Sequence, residues 1–185
     1  MESVNQAKIT LYIAMSEDGY IAGENDSLDF LNPYQVEGED YGYHAFIEKI
    51  DAIMVGRKTY ETVINLGYPY HPDKKVYVIT RDSKYINNEN LEFYNGSITG
   101  LVDLLKSQNK NVYCDGGAQL ATYLISQSLI DAIILSVIPI ALESGTLLFK
   151  NGQVPESFRL ISSTPFPTGL TQYHYELNRI PALLN

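Results

Sequence analysis

Apolar residues along this chain fall into strand-length runs separated by segments with helical spacing. Lys8 to Met15 (KITLYIAM) is mostly apolar and predicts a buried strand. Ala52-Ile53-Met54-Val55 and Lys75 to Thr80 (KVYVIT) predict two more, with shorter ones at Leu91 to Tyr94 and Asn111 to Cys114. Leu129 to Ile140 exceeds the common strand length, yet its Ile and Val content and Pro139 favour a strand over a helix. Helical spacing places Phe46, Ile47 and Ile50 on one side of a helix from Tyr41 to Ile50. A second helix opens at Lys58-Thr59-Tyr60 and is stopped by Gly67, Pro69 and Pro72. A third, capped by Ser97, runs to about Ser107 with Leu101, Leu104 and Leu105 inward, and a fourth covers Ala118 to Ser126. Residues 24–40 are acidic, contain Pro33 and Gly38, and predict one short helical turn at Leu28 to Leu31. Two alternating segments, Phe158 to Thr164 and Leu170 to Asn178, close the chain around a hairpin loop at Pro165 to Gly169.

Strand and helix alternate from 8 to 140, which predicts an α/β fold with a largely parallel sheet. The closing pair adds antiparallel strands at one edge. Length fits one domain spanning 1–185, with no linker, repeat or low-complexity segment.

Ligands of such sheets bind beyond the carboxyl ends of the strands. Four polar or glycine-bearing turns leave those ends: 15–23, 56–59, 80–81 and 115–119. The sharpest is in DAIMVGRKTYE (Asp51 to Glu61), where a strand passes through Gly56 into a helix beside Arg57, Lys58 and Thr59. Free backbone N–H groups and a helix dipole at that corner suit the phosphates of a nucleotide cofactor. A plain strand-to-helix turn with a solvated Arg-Lys pair fits the same spacing.

Composition narrows the partners. A net charge of −9 argues against nucleic acid or an anionic membrane surface. No apolar run reaches the ~20 residues that span a bilayer, and MESVNQAKITLYIAM lacks the basic and long apolar regions of a secretory signal. One cysteine, Cys114, sits in an apolar strand and reads as a buried thiol, so the expected compartment is the cytoplasm. Charge is uneven: Glu17 to Asp51 holds ten acids and one base, whereas Arg57 to Lys84 holds six bases and three acids. A local basic segment on an acidic protein suits a small anionic ligand. His44, His71 and His174 have no metal-ligand spacing, so no metal is expected.

Taken in order, SEDGYIAG, VGRKTYE, VYVITR, DGGAQLATYL, LIDAIILSVIP and Gly145 to Phe149 resemble the dihydrofolate reductase superfamily. The nearer likeness is to the reductase domain of the bifunctional riboflavin-biosynthesis deaminase/reductase, in its stand-alone form, over roughly residues 8–179. No His-x-Glu and Cys-x-x-Cys pair is present, so only the reductase step is implied. The resemblance implies a three-layer dihydrofolate-reductase-like fold, NADPH as cofactor, and a homodimer. By it, Arg57, Lys58 and Arg81 hold the 2′-phosphate and pyrophosphate, with hydroxyls from Thr59 and Thr80. Gly56, Gly116 and Gly117, the last two often a strained peptide in the superfamily, let backbone approach the cofactor. Ala118, Gln119 and Leu120 supply N–H donors. Ala14, Gly19 and Ile21 belong to a loop that closes over the nicotinamide.

Seventeen residues before Arg57 stands Asp40, where the resemblance implies the carboxylate that holds a pterin edge and supports protonation of a C=N bond. Asp40 serves equally as an N-cap for the helix that follows. The acidic, Tyr-rich stretch from Glu24 to Tyr43 departs from the enzyme that makes tetrahydrofolate, and Ala141 to Ser144 replaces its glycine-rich turn. The fifteen tyrosines could stack on a flat heterocycle or simply pack and cap the sheet. The expected activity is NADPH-dependent reduction of a C=N or C=O bond in a pterin- or pyrimidine-like molecule. Its nearest named form is 5-amino-6-(5-phosphoribosylamino)uracil reduction, with dihydrofolate reduction second. A nucleotide-binding module without turnover, or a scaffold binding no nucleotide, is the bland counterpart.

Overall fold

In the computed structural model, which describes residues 7–68, 70–82 and 84–179, one eight-stranded sheet carries helices on both faces. The elements in order are β1 (Ile9–Ser16), β2 (Tyr20–Ala22), α1 (Tyr43–Ile47), β3 (Ala52–Gly56), α2 (Arg57–Asn65), β4 (Lys75–Ile79) and β5 (Leu91–Tyr94). They continue as α3 (Ile98–Ser107), β6 (Val112–Gly116), α4 (Ala118–Ser126), β7 (Ala132–Ile138), β8 (Thr146–Leu147), β9 (Phe158–Pro165) and β10 (Thr171–Leu177). Strand order is β5-β4-β3-β6-β1-β7-β10-β9. The first six are parallel, β10 runs antiparallel to β7, and β9 antiparallel to β10. The expected α/β architecture with an antiparallel C-terminal edge is the one observed.

Strand alternation sorts the apolar residues into two layers. Ile53 and Val55 of β3, Val76 and Val78 of β4 and Tyr113 of β6 face α1, where Ile47 and Ile50 cover them beside Tyr60 of α2. Met54, Leu11, Cys114, Ile133 and Leu135 face the other way, against Leu101, Val102 and Leu105 of α3 and Leu120, Ala121 and Leu124 of α4. The parallel strands are covered on both sides, so their sequences are near-continuous apolar runs.

Some boundaries differ from the sequence expectation, each for a local reason. The helix expected from Tyr41 begins at Tyr43, because Tyr41 and Gly42 take left-handed φ values of 54° and 81°. On α3, Leu104 is exposed at 51%, and Val102 takes the inward position expected for it. Ser97 does cap α3, accepting from the Gly100 N–H at 3.1 Å. The run from Leu129 to Ile140 contains a seven-residue strand, and Glu17 N–H reaches Ile140 O just beyond it. Two short strands were not expected: β2 and β8 pair antiparallel and join the 16–23 loop to the 140s.

Asp131 ties the two chain ends together at the amino end of β7. Its buried carboxylate accepts from the Ile9 N–H at 2.8 Å and pairs with Lys106 at 2.8 Å and with Arg179. Asp131→Ala leaves the buried Ile9 N–H unpartnered, so it should cost about 1–3 kcal/mol of stability. Urea unfolding checks this: the midpoint should fall at constant slope, and an unchanged midpoint would remove Asp131 from the account.

Candidate functional site

The site begins where β3 and β6 end side by side. Val55 and Gly116 are partners across these parallel strands, so α2 and α4 start next to each other. Glycine is what permits it. A Cβ on Gly117 would meet Thr59 Oγ1 at 2.7 Å, whereas one on Gly56 would make only ordinary contact with Gly116 O and Gly117 N at 3.5 Å. Gly116 takes φ +85°, and the Gly116–Gly117 peptide is cis. Neither α2 nor α4 has a side-chain cap, in contrast to α3. The N–H groups of Arg57 to Thr59 and of Ala118 to Leu120 therefore have no intrahelical acceptor. Two positive dipole ends stand together over that corner.

Cations ring the same edge. Arg57 is drawn back onto Glu61 at 2.6 Å, and the Tyr85 hydroxyl donates to the other oxygen of Glu61 at 2.6 Å. Those hydrogen bonds, from Tyr85 first and Arg57 next, hold the Glu61 carboxyl below its ordinary range. Lys84 pairs with Asp82 at 3.1 Å. Lys58 and Arg81 are exposed and, among the described residues, enter no ion pair. Thr80, buried at the end of β4, accepts from the Asp82 N–H at 3.0 Å, which leaves its own hydroxyl hydrogen to donate. Because β4 and β6 flank β3, Thr80, Arg57 and Gly116 stand on three adjacent strand ends. Gln119 is exposed, while Leu120 puts its side chain into the core and offers only its N–H.

The loop from β1 to β2 is fastened rather than loose. Asp18 accepts from Ser16 Oγ at 2.5 Å, from Leu142 N–H at 3.1 Å and from Glu143 N–H at 2.8 Å. Burial raises its pKa, but the bonds from Ser16, Glu143 and Leu142 outweigh that and leave it lowered. Gly19, at φ +97°, lies so close to Gly152 that a Cβ would come within 2.6 Å of the Gly152 Cα. Ile21 packs toward the α3/α4 core, and Ala14 packs near Phe30, Ile138 and Leu170. Ala14, Gly19 and Ile21 thus lie in β1, β2 and the turn between them, held by the 140–152 segment.

Asp40 is not the N-cap of α1, which is Gly42, but lies two residues ahead of it and holds the start of the helix from there. Its carboxylate is exposed and accepts from Gly42 N–H at 2.8 Å and His44 N–H at 2.9 Å. Those bonds, from His44 first and then Gly42, hold its pKa below the usual carboxylate value.

A second carboxylate, not singled out from the sequence, lies deeper. Alternation along β6 puts Tyr113 and Asp115 on the α1 face and Cys114 behind them, where burial pushes its thiol up to about 12. Asp115 Oδ1 accepts from the Tyr113 hydroxyl at 2.5 Å and Oδ2 from the Tyr70 hydroxyl at 2.6 Å. Tyr12, Tyr43, Phe46 and Tyr113 form a continuous aromatic wall with ring centroids 4.8–6.4 Å apart. The Tyr43 hydroxyl meets His71 Nε2 at 3.0 Å. Burial raises the Asp115 pKa against the lowering effect of Tyr113, Tyr70 and His71, yet the residue stays partly open to solvent. The available signal was an acid placed inside an apolar strand, one residue before the paired glycines.

Among the described residues, no group of three His, Cys, Asp or Glu side chains could hold a metal ion, and no helix is long and apolar enough to cross a membrane.

Residues 7–172 match the model of the RibD C-terminal domain. The chain is 35% identical to the uncharacterized protein YwjB of Bacillus subtilis, covering 92% of this chain and 98% of that one. It is 30% identical to dihydrofolate reductase type 1 of Escherichia coli, over 92% of this chain and 97% of the enzyme. The crystal structure of a putative riboflavin biosynthesis protein from Shewanella sp. PV-4 superposes with a TM-score of 0.82 at 26% identity, covering 93% of this chain and 99% of that one. The order of strands, the glycine-bordered corner and these likenesses agree, and the chain belongs to the RibD C-terminal domain family, with a dihydrofolate-reductase-like fold.

Proposed function

We propose that this protein is an NADPH-dependent reductase of a C=N or C=O bond in a pterin- or pyrimidine-like small molecule. A reductase-type function follows the family and its dihydrofolate reductase relative. The observation that carries the cofactor reading is the pair of uncapped helix N-termini at Gly56 and Gly117, with Lys58 and Arg81 unpaired among the described residues beside them. Backbone N–H groups bind a pyrophosphate, and a nearby Arg or Lys favours a 2′-phosphate over a 2′-hydroxyl. When bound, NADPH supplies a hydride. The chain's own part is to hold the phosphates at Arg57 to Thr59, Thr80, Arg81 and Ala118 to Leu120. The loop from Ala14 to Ile21 then bounds the nicotinamide end and keeps water from it.

The activity closest to this reading is reduction of 5-amino-6-(5-phosphoribosylamino)uracil, as in the riboflavin-type reductases. The 30% identity to a dihydrofolate reductase supports dihydrofolate as a second substrate to test.

Thermal melts with NADPH and NADH separate the cofactors. A ligand at 100 times its Kd stabilises by ~2.7 kcal/mol, a readable shift. NADPH should raise the Tm more than NADH, and replacing Arg57 and Arg81 together by Ala should abolish the difference; equal shifts in the parent would discard the 2′-phosphate assignment. Substrate-dependent oxidation of NADPH then distinguishes a reductase from a binding module. Asp40→Ala should lower the Tm through the loss of two backbone hydrogen bonds, without a comparable loss of NADPH oxidation. A large fall in turnover at unchanged Tm would return Asp40 to the substrate.

A further inference from the structure

We infer that Asn95–Gly96, just beyond β5, is a self-modifying site: the Asn95 side chain cyclises onto the Gly96 nitrogen and then opens to a carboxylate at the rim of the sheet. The chemistry needs neither an enzyme nor a cofactor. It needs an asparagine amide free to turn, a following backbone N–H without an acceptor, and no Cβ to crowd the closing ring. The turn from β5 into α3 meets all three conditions. Asn95 and Gly96 are both exposed. Among the described residues, neither the Asn95 side-chain amide nor the Gly96 N–H enters a hydrogen bond. Glycine also suits its neighbour, because Tyr94 folds back over it. The Tyr94 hydroxyl donates to Ser97 O at 3.1 Å, and a Cβ on Gly96 would meet that hydroxyl oxygen at 2.6 Å.

The chain holds a second Asn-Gly pair, and the structure separates the two. At Asn151–Gly152 the Gly152 N–H donates to Phe149 O at 2.9 Å. Gly152 is also wedged against the turn after β1, where a Cβ on Gly19 would strike its Cα at 2.6 Å. Cyclisation there has to break that hydrogen bond and unpack the turn, whereas Gly96 surrenders nothing. In the step itself, the Gly96 nitrogen loses its proton and bonds to Asn95 Cγ. The Cγ–Nδ2 bond breaks, and ammonia leaves with that proton. Water then adds to one of the two imide carbonyls. Opening the bond to Cγ leaves aspartate, and opening the bond to the Asn95 backbone carbonyl leaves isoaspartate; no electrons change hands. The position gives the new charge its effect. Tyr94 O accepts the Thr80 N–H at 3.0 Å, so Asn95 and Arg81 each lie one residue beyond the same bond. The carboxylate therefore stands beside exposed Arg81 and just ahead of α3, whose dipole favours negative charge. Its consequence for binding rests on the phosphate-seat reading above: conversion at Asn95 weakens the grip of that rim on a 2′-phosphate.

The test is to hold the full chain in warm, mildly alkaline buffer, sample it over time, and map peptides by mass spectrometry for the amide-to-acid mass gain. Isoaspartyl methyltransferase labels the rearranged product. Acid should build up at Asn95 about tenfold faster than at Asn151, the worth of the hydrogen bond that Gly152 has to surrender. In urea the two rates should converge. Asn95→Gln, which would have to close a larger ring, should abolish the acidic shift of the folded protein in isoelectric focusing, and Asn151→Gln should leave that shift in place. An Asn95 that keeps its amide, or loses it no faster than Asn151, would overturn the inference, as would a difference that persists in urea. For the rim, Asn95→Asp should weaken NADPH about two- to fivefold relative to NADH, seen as a narrower gap between their Tm shifts. An unchanged gap would remove the consequence for binding. A parent with no gap at all would sink the 2′-phosphate reading while leaving the modification in place.

Discussion

The constraint on which this molecule turns is the close approach of two strand ends. There Gly116 takes a left-handed φ of +85°, and a Cβ on Gly117 would strike Thr59 Oγ1 at 2.7 Å, so Thr59 fills the little space between the helices. Two helix N-termini, each worth about half a positive charge, therefore stand together without a side-chain cap. Like ends side by side repel, and an anion lodged between them turns that repulsion into attraction. The fold thus carries a local electrostatic demand that its own side chains leave open, while α3 shows how readily a serine meets the same demand elsewhere.

Around that fixed feature the side-chain charges act as a softer layer. The chain is acidic overall at −9, so attraction to phosphate is confined to one rim. Lys58 and Arg81 are exposed and are screened within a Debye length of about 8 Å at physiological salt. Arg57 is already shared with Glu61, and Lys84 with Asp82. The backbone donors are held in place by the fold, and the few uncommitted cations add positive charge beside them. On the far side of Gly116 the design reverses: Asp115 is surrounded by neutral tyrosines and a histidine, and the aromatic wall supplies shape where charge is absent.

Much of this was legible in the sequence where burial alone decides the outcome. The run at Ala52 became a strand because a central parallel strand covered on both faces is apolar throughout, while those at Lys75 and Leu91 lie toward the edge and mix apolar residues with Lys75 and Glu92. The four turns meet on one edge because the six parallel strands all end there. What escaped notice depends on contacts between distant residues. Strands β2 and β8 are three and two residues long and exist through their pairing and through Asp18, which no local pattern announces. The start of α1 hinges on left-handed φ values at Tyr41 and Gly42, of which only the glycine hints. In the sequence Asp115 belongs to a glycine turn, because its depth comes from Tyr70, some 45 positions away. The tyrosines of the aromatic wall stand out in the sequence only as a surplus in composition, since alternation on β1 and β6 and the placement of α1 are needed to bring them together.

The strand order also governs how the polypeptide must come together in time. Strand β1, which comes before the sheet's other strands along the chain, lies between β6 and β7, with Ile9 against Val112 and Thr10 against Ala132. It therefore waits for more than a hundred residues to emerge before either neighbour exists, while β3, β4 and β5 can pair among themselves early. Closure of the sheet is a late event of high contact order, and the apolar flanks of β1 stay uncovered until then. Asp131, which takes the Ile9 N–H at one end and Arg179 at the other, acts as the clasp that registers this insertion when the last strand arrives.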